Sequence, residues 1–171
     1  GSLAKIGDNL HRMRELAVQS ANGTNTSDNR DALNVEFAEL QAEVNRVVGA
    51  TTYNGVKVLD SATDLDFQVG AGFDATNDKI TVTATKLDAA SEVGKAAVAA
   101  TIDVKGADST NALAAITQID LALKQVNTTR TTYGAVQNRF EAVVGNLQTS
   151  IESASASRSR IMDADFASET A

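Results

Sequence analysis

The chain has 171 residues, a formal net charge of −7, no Pro, Cys or Trp, and only 4% aromatic residues. The length allows a sizeable core. Without cysteine there is no disulfide, thiolate metal site or cysteine nucleophile, and without a basic block there is no case for nucleic acid or an anionic membrane as partner.

A core of small residues suits closely packed helices. Leu3, Ile6, Leu10, Met13 and Ala17 step by three and four, which draws one buried seam along a helix over 3–22. Leu16 falls off that seam, on a neighbouring stripe with Arg12 and Gln19. Two readings stand. Either Leu16 belongs to a partner-binding surface, or the seam is wide and Leu16 packs at its edge. Asn22-Gly23 predicts the end of the helix, with Gly23 in the left-handed cap position.

A polar linker leads to Ser27 or Asp28 as the cap of a second helix over 28–48. Its seam is Leu33, Phe37, Leu40, Val44 and Val47, and it ends at Gly49. Tyr53-Asn54-Gly55-Val56 is a turn signal, because Asn-Gly tolerates positive φ. Leu65, Phe67 and Val69, then Ile80, Val82 and Ala84, alternate with polar residues and predict two half-buried strands. Residues 70–79 join them as a hairpin that must lean on the helices. Within 86–109, Lys95 to Ala100 reads as a short helix and Thr101 to Val104 as an extra strand.

From residue 110 the three-four step returns. Ile116, Ile119, Leu123, Val126, Arg130, Tyr133, Gln137, Phe140, Val144, Leu147, Ile151, Ala154, Arg158 and Ile161 keep it throughout. Gly134 and Gly145 interrupt propensity but not periodicity. A continuous helix over 110–161 would be about 75 Å long. The predicted fold is mainly α: an elongated, rod-like bundle of two shorter N-terminal helices on one long C-terminal helix, with a small β-hairpin.

Site chemistry is sparse. His11 is the one histidine and has no cysteine to help it bind a metal. Asp60, Asp64 and Asp66, and Asp74, Asn77 and Asp78, lack calcium-loop spacing and read as solvated loop carboxylates. Gly70-Ala71-Gly72 is too short for a phosphate loop. The reading is a non-enzyme with no catalytic residue, no metal and no cofactor.

Three stretches carry a family resemblance. They are Asn9 to Gly23 (NLHRMRELAVQSANG), Tyr53 to Leu59 (YNGVKVL), and Gly134 to Phe140 continuing through Asn146-Leu147 to Ser157–Ala167 (SRSRIMDADFA). Together they resemble bacterial flagellin, the subunit of the flagellar filament. The likeness covers residues 3–60 and 110–171, with 61–109 as a variable middle.

The resemblance implies a single D1-like domain over 1–171, a helical rod with a small β element, cut from a longer chain without the terminal helices. It implies an extracellular, secreted structural protein of the bacterial flagellum, with other flagellin subunits as partners in the full-length filament. The fragment itself is expected to be monomeric. It also implies recognition by Toll-like receptor five of innate immunity. The family's contact positions fall on Arg12, Leu16 and Gln19 of the first helix and Glu36 of the second, with His11 beside them where recognised flagellins often carry Gln. Leu40 stands where some carry Arg. With the resemblance added, the partner-surface reading of Leu16 is favoured. A hook-filament junction protein, or a flagellin with a functional insert in the middle region, are the alternatives.

Overall fold

The computed structural model describes residues 1–74, 76–98 and 102–169, and side chains as far as Met162. The chain forms two compact units, residues 1–131 and 132–171.

In the first unit, α1 (Ser2–Ser20) and α2 (Ser27–Ala50) pack against each other through the short linker 21–26. The predicted seam of α1 goes inside: Ile6, Leu10, Met13 and Ala17 have no exposed surface, and Leu3 is half-buried. Leu16, at 1% exposure, is inside with them. The off-seam reading of Leu16 is therefore corrected: the seam is wide enough to take two adjacent stripes of the helix. The expected cap is corrected too. The residue after α1, Ala21, keeps a right-handed conformation, and Gly23 has no positive φ.

On α2 the N-cap is Thr26, one residue before the expected one, and its hydroxyl accepts the Asn29 N–H. Phe37, Val44 and Val47 are buried as predicted, whereas Leu33 and Leu40 are only half-buried. Arg30 and Gln41 take the inner positions instead. The reason is that residues 96–97 and 102–107 present main-chain groups to α2. Gln41 Nε2 donates to the carbonyls of Ala96 (3.0 Å) and Ile102 (3.1 Å), and Asn45 Nδ2 donates to Ala97 O (2.7 Å). Asn34 Oδ1 accepts the Val104 N–H at 3.0 Å. A stripe of polar side chains on α2 thus satisfies main-chain groups that have no ladder of their own.

Arg30 closes the end of this stripe. Its guanidinium donates to Ser20 O (3.0 Å), Ala107 O (3.1 Å) and Asn22 O (3.3 Å). It covers the carbonyl end of α1, where a helix leaves acceptors unpaired and favours positive charge. Ser20, also buried, donates its hydroxyl to Val104 O.

The middle region holds two small hairpins. In the first, β1 (Thr52–Tyr53) and β2 (Val56–Lys57) are antiparallel. Asn54 (φ 49°) and Gly55 (φ 78°) form the two-residue turn between them, as the Asn-Gly signal predicts. In the second, β3 (Leu65–Gln68) pairs antiparallel with β4 (Lys79–Val82). Leu65 faces Val82 and Phe67 faces Ile80, so one face is apolar. On the other face Asp66 accepts from Lys79 Nζ and Thr81 Oγ1 (2.6 Å). These two bonds, Lys79 first, hold the Asp66 carboxyl below its ordinary value.

Beyond β4, α3 (Glu92–Ala97) begins three residues before the short helix expected over Lys95 to Ala100 and ends at Ala97, with Val98 extended; Ala99 and Ala100 lie outside the described residues. The extra strand expected at 101–104 is not formed over 102–104, and Thr101 is outside the described residues. Ile102 and Val104 are buried against the helices rather than paired in a sheet. A Cβ at Gly94 would lie 1.8 Å from the main-chain oxygen of Asp88, so α3 sits where only glycine fits. Gly94→Ala is expected to destabilise the first unit by about 1–3 kcal/mol through forced backbone movement. A urea melt checks this; an unchanged midpoint would contradict the close approach.

The last helix, α4 (Thr110–Glu169), is unbroken at Gly134 and Gly145 and runs past the predicted end at 161. Its inner stripe in the first unit is Ala112, Ala115, Ile119, Ala122, Val126 and Thr129. Ile116 and Leu123, placed on the seam from spacing, are half-buried at its side. The alanines take the innermost positions because their small side chains permit close helix approach. In the second unit, Val144, Leu147 and Ile151 are 51%, 43% and 68% exposed.

Candidate functional site

The candidate recognition surface is built on α1 and α2. Periodicity turns Ile6, Leu10, Met13 and Ala17 inward and leaves His11, Arg12, Glu15, Val18 and Gln19 on the outer side of α1. Arg12 reaches across to α2, where its Nε donates to Glu36 Oε1 at 2.7 Å. Its Nη1 donates to Glu15 Oε2 at 3.0 Å. Hydrogen bonding to Glu36, then to Glu15, raises the Arg12 guanidinium above its ordinary value. All three side chains remain about half-exposed or more. Such a pair contributes little to folding, and its donors and acceptors stay within reach of a partner.

His11 and Gln19 lie on the outer stripe two turns apart and line a shallow surface groove with Arg14, Glu15 and Val18. Asn25 Nδ2 donates to the main-chain oxygen of Gln19 at 2.6 Å and anchors the end of the stripe. Arg14 donates to Asp120 of α4 at 2.8 Å, which fixes the other edge of the groove.

Four of the five positions read from sequence thus lie on the surface: Arg12 is paired with Glu36, and His11 and Gln19 line the neighbouring groove. Leu16 does not join them and packs beneath. Glu15 and Val18 were missed. The i,i+3 spacing of Arg12 and Glu15 was a legible signal for the first. Val18, half-exposed between buried Ala17 and exposed Gln19, carried none. Among the described residues, no group of three or more His, Cys, Asp or Glu is placed to hold a metal ion. No helix of the described residues is long and apolar enough to cross a membrane.

Comparison with known proteins decides the family. Residues 1–64 match the family profile of the bacterial flagellin N-terminal helical region, and residues 116–171 match that of the C-terminal helical region. The chain belongs to the bacterial flagellin family. It is 41% identical over 170 residues to a flagellin of Halalkalibacterium halodurans, covering 99% of this chain and 60% of that one. It is 34% identical over 180 residues to a flagellar filament 30.7 kDa core protein of Treponema maltophilum, covering 99% of this chain and 61% of the relative. The chain therefore spans about three-fifths of the length of these relatives. The crystal structure of Bacillus cereus flagellin superposes with a TM-score of 0.70 at 31% identity, over 85% of this chain and 79% of that one.

Proposed function

We propose that this flagellin chain is a structural subunit of the bacterial flagellar filament, outside the cell, with other flagellin subunits as its partners and no enzymatic activity. Both units are read as parts of one D1-like domain. One observation carries the proposal: on α4, Val144, Leu147 and Ile151 step three and four along an exposed helix face. An apolar stripe of this period is made to be covered by other helices. The Treponema maltophilum relative, a flagellar filament core protein by name, agrees with that role.

The test is a graft. The chain replaces the matching three-fifths of the Halalkalibacterium halodurans flagellin in cells that make no other flagellin. Filaments and swimming are expected. A folded, exported graft that forms no filament would overturn the proposal.

A second reading rests on the surface of α1 and α2. We infer that His11, Arg12, Gln19 and Glu36 form a face recognised by Toll-like receptor five. The exposed Arg12–Glu36 pair favours it, because it presents a planar donor group and a carboxylate from two helices at one place. Arg12→Ala is expected to weaken binding of the receptor ectodomain by about tenfold or more. Its melting curve should stay close to that of the parent chain, since the pair is exposed. Surface plasmon resonance and thermal melts on the same variant check both; unchanged affinity would remove Arg12 from the face.

A further inference from the structure

The Asn54-Gly55 turn has a chemistry that filament or receptor roles do not use. We propose that Asn54 is a site of spontaneous deamidation and isoaspartate formation, and that the fold selects it over the other Asn-Gly pair, Asn22-Gly23. In the reaction the Gly55 amide nitrogen attacks the side-chain carbonyl carbon Cγ of Asn54. A new N–Cγ bond closes a five-membered succinimide, and the Asn54 Nδ2 leaves as ammonia, taking up the proton that Gly55 N gives to solvent. Water then opens the ring at either carbonyl, leaving aspartate or isoaspartate. One water is consumed, one ammonia is released, and nothing is oxidised or reduced.

Three observations place the reaction at Asn54. First, Gly55 has no side chain to shield its nitrogen, and even an added Cβ there would meet no atom within 4 Å. Second, the Asn54 side-chain amide takes no hydrogen bond among the described residues, and the residue is exposed. Third, the attack needs the left-handed turn to open, and opening is easy here. The strands β1 and β2 are two residues each and all four residues are exposed. So small a hairpin is marginal by itself, and it opens without disturbing the core.

Asn22 has the same neighbour but the opposite surroundings. Its N–H donates to Gln19 O at 3.2 Å. Its main-chain oxygen accepts from Asn25 N (3.2 Å) and Arg30 Nη2 (3.3 Å). Its side-chain Oδ1 accepts from Thr24 N (3.1 Å) and Thr24 Oγ1 (3.0 Å). Turning Cγ toward Gly23 N breaks several of these bonds at once, including the one to the buried Arg30. The product at Asn54 also has a structural consequence. Isoaspartate inserts an extra methylene into the main chain of a two-residue turn, so the pairing of Thr52 with Lys57 and of Tyr53 with Val56 is lost.

The experiment ages the purified folded chain and, in parallel, the chain held unfolded in denaturant. Peptide mapping then measures isoaspartate by enzymatic methyl labelling at Asn54 and Asn22. In the folded chain, Asn54 is expected to react several-fold faster than Asn22, and in the unfolded chain the two rates converge. The proposal is overturned if Asn22 reacts as fast as Asn54 in the folded chain. It is equally overturned if the folded chain forms no isoaspartate at Asn54 while the unfolded chain does.

Discussion

Leu16→Ala is expected to remove about 2–5 kcal/mol of folding stability, the range for truncating a large buried side chain when its surroundings relax only in part. Leu16 is 1% exposed and sits between Met13 and Ala17, neither of which has exposed surface. Deleting its branched end leaves a cavity under the outer face of α1. The variant also separates burial from recognition. Were Leu16 a surface anchor, stability would change by about 0.5 kcal/mol and receptor affinity would carry the loss. The burial predicts the reverse: a large shift in denaturation midpoint, and receptor affinity unchanged once the folded fraction is taken into account. Thermal and urea melts beside receptor binding decide between them, and a near-neutral melt would show that Leu16 is not part of the core.

Arg30→Met is expected to destabilise the first unit by roughly 3 kcal/mol. Methionine keeps much of the apolar stem but donates nothing. The carbonyls of Ser20, Asn22 and Ala107 then lose their guanidinium donor, and a buried acceptor without a partner costs about 1–3 kcal/mol. Ser20 O lies deepest, so it should dominate. Arg30→Lys should rescue only part of the loss, because one ammonium cannot reproduce a planar fork over three oxygens. Denaturant titration of the two variants measures both steps. A methionine variant within about 0.5 kcal/mol of the parent, as for an ordinary surface change, would mean that water replaces the guanidinium without penalty.

Much of the architecture is legible because local periodicity reports on it. The three-four step of Ile6, Leu10, Met13 and Ala17, and of Ile119 and Val126, marks helices whatever their neighbours are. Alternation at 65–69 and 80–84 marks the strands, and Asn54-Gly55 marks its turn, because each depends on geometry within a few residues. Segment 102–104 was illegible for the opposite reason. Its apolar residues suit a strand, but its backbone is met by side chains of α1 and α2, from Ser20, Asn34 and Gln41, far earlier in the chain.

The candidate surface was legible in the same uneven way. Spacing put Arg12 and Gln19 outside, and the family resemblance added His11 and Glu36. Spacing could not decide Leu16, since a helix seam may be one stripe wide or two, and only the neighbouring elements set the width.

By itself, then, the sequence determined the three long helices, the larger hairpin, the turn of the smaller one and the resemblance to flagellin, all of which rest on local pattern or on motifs read in order. The tertiary structure alone decided how wide each inward stripe is and which residues hold its innermost line. It buried Leu16, chose Ala115 over Ile116 for the innermost line of α4, and drew Arg30 and Gln41 inside. The physical reason is that burial is a property of the assembled packing. A small residue wins where helix backbones approach closely, and a polar one wins where a distant segment presents unpaired carbonyls.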